Sequence, residues 1–86
     1  MKTLIEVSNE GLESLIGKRI TLFCANYFYT GKLIGVNKSY VKLEDPAIVY
    51  ETGSFSEKKF KDAQKLPNSL YIQQSAIESF HETDKV

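Results

Sequence analysis

A chain of 86 residues has room for one domain, and its 26% charged and 42% hydrophobic content is globular usage rather than that of a disordered segment. Eleven basic residues offset eleven acidic ones, so the strongly basic balance of a nucleic-acid module is absent and any anion-binding surface must come from local clustering. A single cysteine excludes an intrachain disulfide and a cysteine-based zinc cluster and points to a reducing, cytoplasmic setting.

Glu6 interrupts the first apolar stretch before a signal peptide develops, and no run is long enough to span a membrane. Ser8 and Asn9 are good N-caps, Glu10 and Glu13 suit a first turn, and Leu12, Leu15 and Ile16 recur at helical spacing, which predicts a short helix over 8–17 ended by Gly17. From Lys18 the period becomes two: Ile20, Leu22 and Cys24 alternate with Arg19, Thr21 and Phe23, the pattern of a half-buried strand. Asn26 marks a turn into a second strand, about Phe28 to Val36, in which Gly31 and Gly35 allow sharp curvature.

Asn37-Lys38-Ser39 is the next turn, followed by Tyr40 to Glu44 with Val41 and Leu43 on one side. Asp45-Pro46 breaks or kinks this strand before the apolar run Ala47-Ile48-Val49-Tyr50. The stretch 52–67 is a long charged loop in which Ser56 caps at most a turn or two of helix, with Phe60 and Ala63 inward. Leu70 to Ile72 and Ala76 to Phe80 are the fourth and fifth strands around Gln73-Gln74-Ser75, and 81–86 is a frayed tail. The expected fold is all-β: a small, strongly bent antiparallel barrel of about five strands with a short N-terminal helix.

Chemistry-bearing residues are few. His81, the single histidine, falls in the tail, Cys24 has inward parity, and Glu44 and Asp45, adjacent on a strand, point to opposite faces. No catalytic residue, metal site or cofactor is expected, and enzymatic activity is not. Lys58, Lys59, Lys61 and Lys65 form a local positive excess over Glu57 and Asp62, either a solvated face or an attraction for phosphate. Lys18 and Arg19 follow the helix and complement its dipole.

The order of elements resembles the Sm and Sm-like proteins, the family that includes the LSm and Hfq-related chains. Ile20-Thr21-Leu22, Asn26, Gly31-Lys32-Leu33, Asn37 and Val41-Lys42-Leu43-Glu44-Asp45 align with the first Sm motif, within 18–51; Leu70-Tyr71-Ile72, Gln73-Gln74 and Ile77 to Phe80 align with the second, within 68–80. The resemblance implies one Sm-like domain over 1–86. It also implies a homo-oligomeric ring of roughly five to seven copies that binds single-stranded, U- or A-rich RNA at its pore or face, in an RNA-chaperone or regulatory role.

By that alignment the RNA-binding candidates are Asn37, Lys38, Tyr40, Gln73, Gln74 and Ser75. Tyr40 falls at or beside the family's base-binding Asn, and Gln73-Gln74 stands in place of its Arg-Gly step. A tyrosine can stack on a base and glutamines can read one by hydrogen bonding, without a positive charge. The family's mode of assembly places Leu70, Tyr71 and Ile72 of one copy against Ile77 and Phe80 of the next, by pairing of exposed strand edges. The alternative is a structural or protein-interaction ring that has lost RNA binding.

Overall fold

The computed structural model describes residues 11–85. One antiparallel sheet contains strands β1 (Arg19–Cys24), β2 (Phe28–Val36), β3 (Tyr40–Glu51), β4 (Asp62–Lys65), β5 (Leu70–Gln73) and β6 (Ile77–Glu82). They run in the order β4-β3-β2-β1-β6, and β5 also pairs with β3. The all-β, strongly bent architecture agrees with the pattern of alternation. The helix expected over 8–17 does not: Ser8 to Glu10 lie outside the described residues, and Leu12–Leu15 forms a single 3-10 turn. Gly17, at φ 93°, then reverses the chain into β1, a left-handed conformation that a side chain would oppose.

Strand β1 is covered on both sides. Ile20, Leu22 and Cys24 face a core completed by Leu33, Val41, Leu43 and Ile72, with Leu12 and Leu15 packed on its edge. Thr21, between two core residues, points the opposite way and is nevertheless fully buried. Its neighbours by register are Thr30 on β2 and His81 on β6, and Thr30 in turn lies opposite Ala47 on β3. This second face is roofed by the segment joining β3 to β4, whose Phe60 is buried and whose Phe55 ring lies 6.2 Å from that of Phe23.

The bend arises where β2 and β3 cross Gly31 and Asp45-Pro46. Between the pairs Lys32↔Glu44 and Thr30↔Ala47, β2 advances two residues and β3 three, so β3 carries an extra residue there. Asp45 takes φ 50° and Pro46 continues the strand rather than ending it. A Cβ on Gly31 would lie 3.1 Å from the Glu44 carbonyl oxygen and 3.2 Å from Pro46 Cα, so only glycine lets the two backbones come this close.

Two further features differ from expectation. The charged segment 52–67 is not wholly loop, because Asp62–Lys65 pairs with the far half of β3 (Ala47↔Lys65, Val49↔Ala63). Nor do residues 81–85 fray: β6 continues to Glu82 beside β1, and Lys85 is buried, its Nζ donating to the carbonyls of Ser54 (2.6 Å) and Glu57 (3.0 Å) between the rings of Phe55 and Phe60. Among the described residues no helix is long and apolar enough to cross a membrane.

Candidate nucleic-acid interface

The β2–β3 and β5–β6 connections meet at one end of the sheet. Asn37 closes the first: its Oδ1 accepts the backbone N–H groups of Ser39 (2.7 Å) and Tyr40 (2.8 Å), and its own N–H donates to the Tyr40 carbonyl (3.0 Å). This side-chain mimicry of a turn is the usual role of asparagine. The second connection, a 3-10 turn at Gln74–Ala76, is tied to the first by the Gln74 backbone N–H donating to Ser39 O (2.8 Å) and by the Gln74 side-chain amide donating to Asn37 O. Tyr40 and Gln73 are direct partners across the β3–β5 ladder.

The six residues nominated from sequence are thus brought together, but they divide by role. Asn37 and Gln74 spend these side-chain groups on holding the turns. Lys38, Tyr40, Gln73 and Ser75, with Ser39, line an open depression between the turns. The Tyr40 ring, 42% exposed, meets Tyr71 edge to face at 5.5 Å, and Lys42 Nζ sits 5.3 Å from the Tyr71 centroid. Lys42 and Ser39 were missed from sequence. Ser39 lies inside the turn that was recognised, whereas Lys42 is found only through the register that places it opposite Tyr71.

The five edge residues also divide. Strands β5 and β6 each have one neighbour among the described residues, β3 and β1 respectively, so each leaves one backbone edge unpaired. Ile72 faces the core and offers only its backbone there, and Leu70 and Ile77 are half-buried against that core. Tyr71 and Phe80 are the two whose side chains are exposed.

Elsewhere, groups with reactive potential are occupied structurally. Cys24 is buried, and burial first and Glu78 second push its thiol pKa up, away from the nucleophilic thiolate. His81 stacks on Phe23 at 5.4 Å. No cluster of metal-ligating side chains occurs among the described residues.

No family profile and no curated protein sequence matches the chain. Solved structures do. A heptameric archaeal Sm protein superposes with TM-score 0.66 at 14% identity, covering 84% of this chain and 94% of that one. An Sm protein of Pyrococcus abyssii, in complex with a uridine heptamer, gives TM-score 0.64 at 15% identity over 84% and 92% of the two chains. The chain has the Sm-like fold.

Proposed function

We propose that this chain pairs edge to edge with copies of itself, β5 of one against β6 of the next, into a ring that binds single-stranded U- or A-rich RNA at the Tyr40–Gln73 depression, as an RNA chaperone or regulator rather than a catalyst. The observation that carries the reading is the stitching of the two turns by Gln74. It presents an exposed aromatic ring and an uncharged amide side by side, the one suited to stack on a base and the other to hydrogen-bond its edge. Supporting it are the unpaired edges of β5 and β6 and the likeness of fold to Sm proteins, one heptameric and one bound to a uridine heptamer.

Fluorescence anisotropy with short U and A oligomers at low salt tests the binding. Micromolar affinity reduced roughly tenfold by Tyr40→Ala, one base-stacking contact, is expected, and no binding at high micromolar protein rejects the proposal. Light scattering tests the assembly: a multiple of the monomer mass should fall when Tyr71→Ala is combined with Phe80→Glu, and a wild-type monomer at micromolar concentration rejects the ring.

One observation favours the alternative, a ring devoted to protein contacts. Two of the polar groups that could read a base, Asn37 Oδ1 and the Gln74 amide, are already engaged within the turns. Under that reading Tyr40→Ala and Gln73→Ala leave the assembly's partner binding intact.

A further inference from the structure

The second face of the sheet holds a cleft that neither the turns nor the free edges explain. It encloses about 380 Å³ between the bend of β3 and the segment leading into β4. Arg19, Lys59, Lys61 and Lys65 line it against two carboxylates, Asp45 and Asp62, so a chain of zero net charge concentrates positive charge here. Register explains the gathering: Lys65 lies opposite Ala47, which lies opposite Thr30, on the face that Arg19 shares by alternation with Thr21.

The cations are poorly neutralised from within. Arg19 reaches Asp45 only at 3.8 Å and Lys61 reaches Glu51 only at 3.8 Å, while Lys59 and Lys65 make no ion pair among the described residues. Arg19 Nε is buried and has no acceptor among the described residues. A buried guanidinium donor without a partner is costly, and the group that best satisfies it is an oxyanion able to accept from a planar fork. The opposite wall is held in place, since Lys85 fixes the segment carrying Lys59 and Lys61 through Ser54 O and Glu57 O. Lys59, Lys61 and Lys65 are exposed on that wall, so the fixed donor is the half-buried Arg19 and the lysines add positive potential at the mouth of the cleft.

We infer that this cleft is a phosphate-binding site, separate from the Tyr40 depression, and that its occupant is a phosphodiester of the bound RNA. The occupant, though not the phosphate chemistry, rests on the RNA-binding reading. Two probes separate the possibilities: inorganic phosphate, and a uridine oligomer followed at several salt concentrations.

In the wild-type assembly both probes should shift the amide resonances of Lys59 to Lys65. Arg19→Gln combined with Lys65→Gln should weaken oligomer binding roughly tenfold at 0.1 M salt and make the slope of log K against log salt shallower by about 1.4, two phosphate contacts at about 0.7 each. Tyr40→Ala should lower affinity without changing that slope. Lys59→Gln with Lys65→Gln, both exposed, repeats the measurement with Arg19 in place. Amide shifts with phosphate but no oligomer binding would uphold the site and overturn its RNA occupant. An unchanged salt slope in both double variants, or no shift at Lys59 to Lys65 with either probe, overturns the inference.

Discussion

Replacing Gly31 by alanine tests the origin of the bend. The new Cβ would meet Glu44 O at 3.1 Å, Leu43 Cβ at 3.2 Å and Pro46 Cα at 3.2 Å, against 3.4–4 Å for ordinary contact. Two of the three atoms belong to the β3 backbone, which cannot give way without opening the bend. Overpacking of this kind costs about 1–3 kcal/mol, offset by about 0.4–1 kcal/mol from the stiffer unfolded chain. A net loss of about 1–2 kcal/mol lowers Tm by about 4–8 °C per kcal/mol in a domain of this size. Gly35 supplies the control. It lies on the same strand, but its Cβ would find only Lys42 Cβ at 3.8 Å, so Gly35→Ala should be neutral or gain a few degrees. Circular-dichroism melts at one fixed protein concentration measure both, because an assembling protein has a concentration-dependent Tm. Gly31→Ala melting with wild type, or Gly35→Ala losing as much, would refute the reasoning.

Lys85→Met keeps the aliphatic stem and removes the ammonium, so Ser54 O and Glu57 O lose a charge-assisted donor. Relief from burying the charge offsets much of that loss globally, while the roof over the second face loosens. Hydrogen exchange at the Glu57 and Lys61 amides, which donate to Ser54 O and Thr52 O, should speed up roughly tenfold, about 1.4 kcal/mol of local opening; unchanged protection there would show that Lys85 does not hold the roof. A last expectation concerns alkaline pH. Burial, then Glu78, raises the Cys24 thiol from its ordinary 9.0, and burial, then Cys24 and Tyr27, raises the Tyr29 phenol from 10.0. Both groups hold their protons to higher pH when folded than when unfolded. The stability they contribute is therefore complete below about pH 9 and is lost as pH rises through their raised folded values. Urea midpoints should be level from about pH 7 to 8.5 and fall beyond, and a midpoint that climbs above pH 9 would contradict the assignment.

How much of this was legible in the sequence depends on which group does the bonding. Strand β1 shows itself because alternate residues enter a core. Strand β4, Asp62-Ala63-Gln64-Lys65, has no buried residue and is held through its backbone, so its composition reads as loop. Odd positions 41, 43, 47 and 49 of β3 are all buried and look like one continuous face, yet the extra residue at the bend hands the first two to the main core and the last two to the second face. No parity count reveals that exchange.

Proline after aspartate suggested a break or a kink, and tertiary pairing on both sides makes it a kink that the strand passes through. The burial of Lys85 depends on contacts with residues 28 and 31 positions earlier, and nothing local announces it. At the candidate site, order and spacing of the motifs pointed to the two turns. The division of labour between Gln73 and Gln74 came only from the hydrogen bonds.

The β5 and β6 edges are unlike in sequence and in neighbours, and this has a directional consequence. Under the proposed assembly, joining β5 of each copy to β6 of the next would give every copy the same heading, so a closed ring would possess a distinct front and back instead of two equivalent sides. The Tyr40 depressions would then all share one orientation about the axis, and a long polymer would meet a circle of matching docking points.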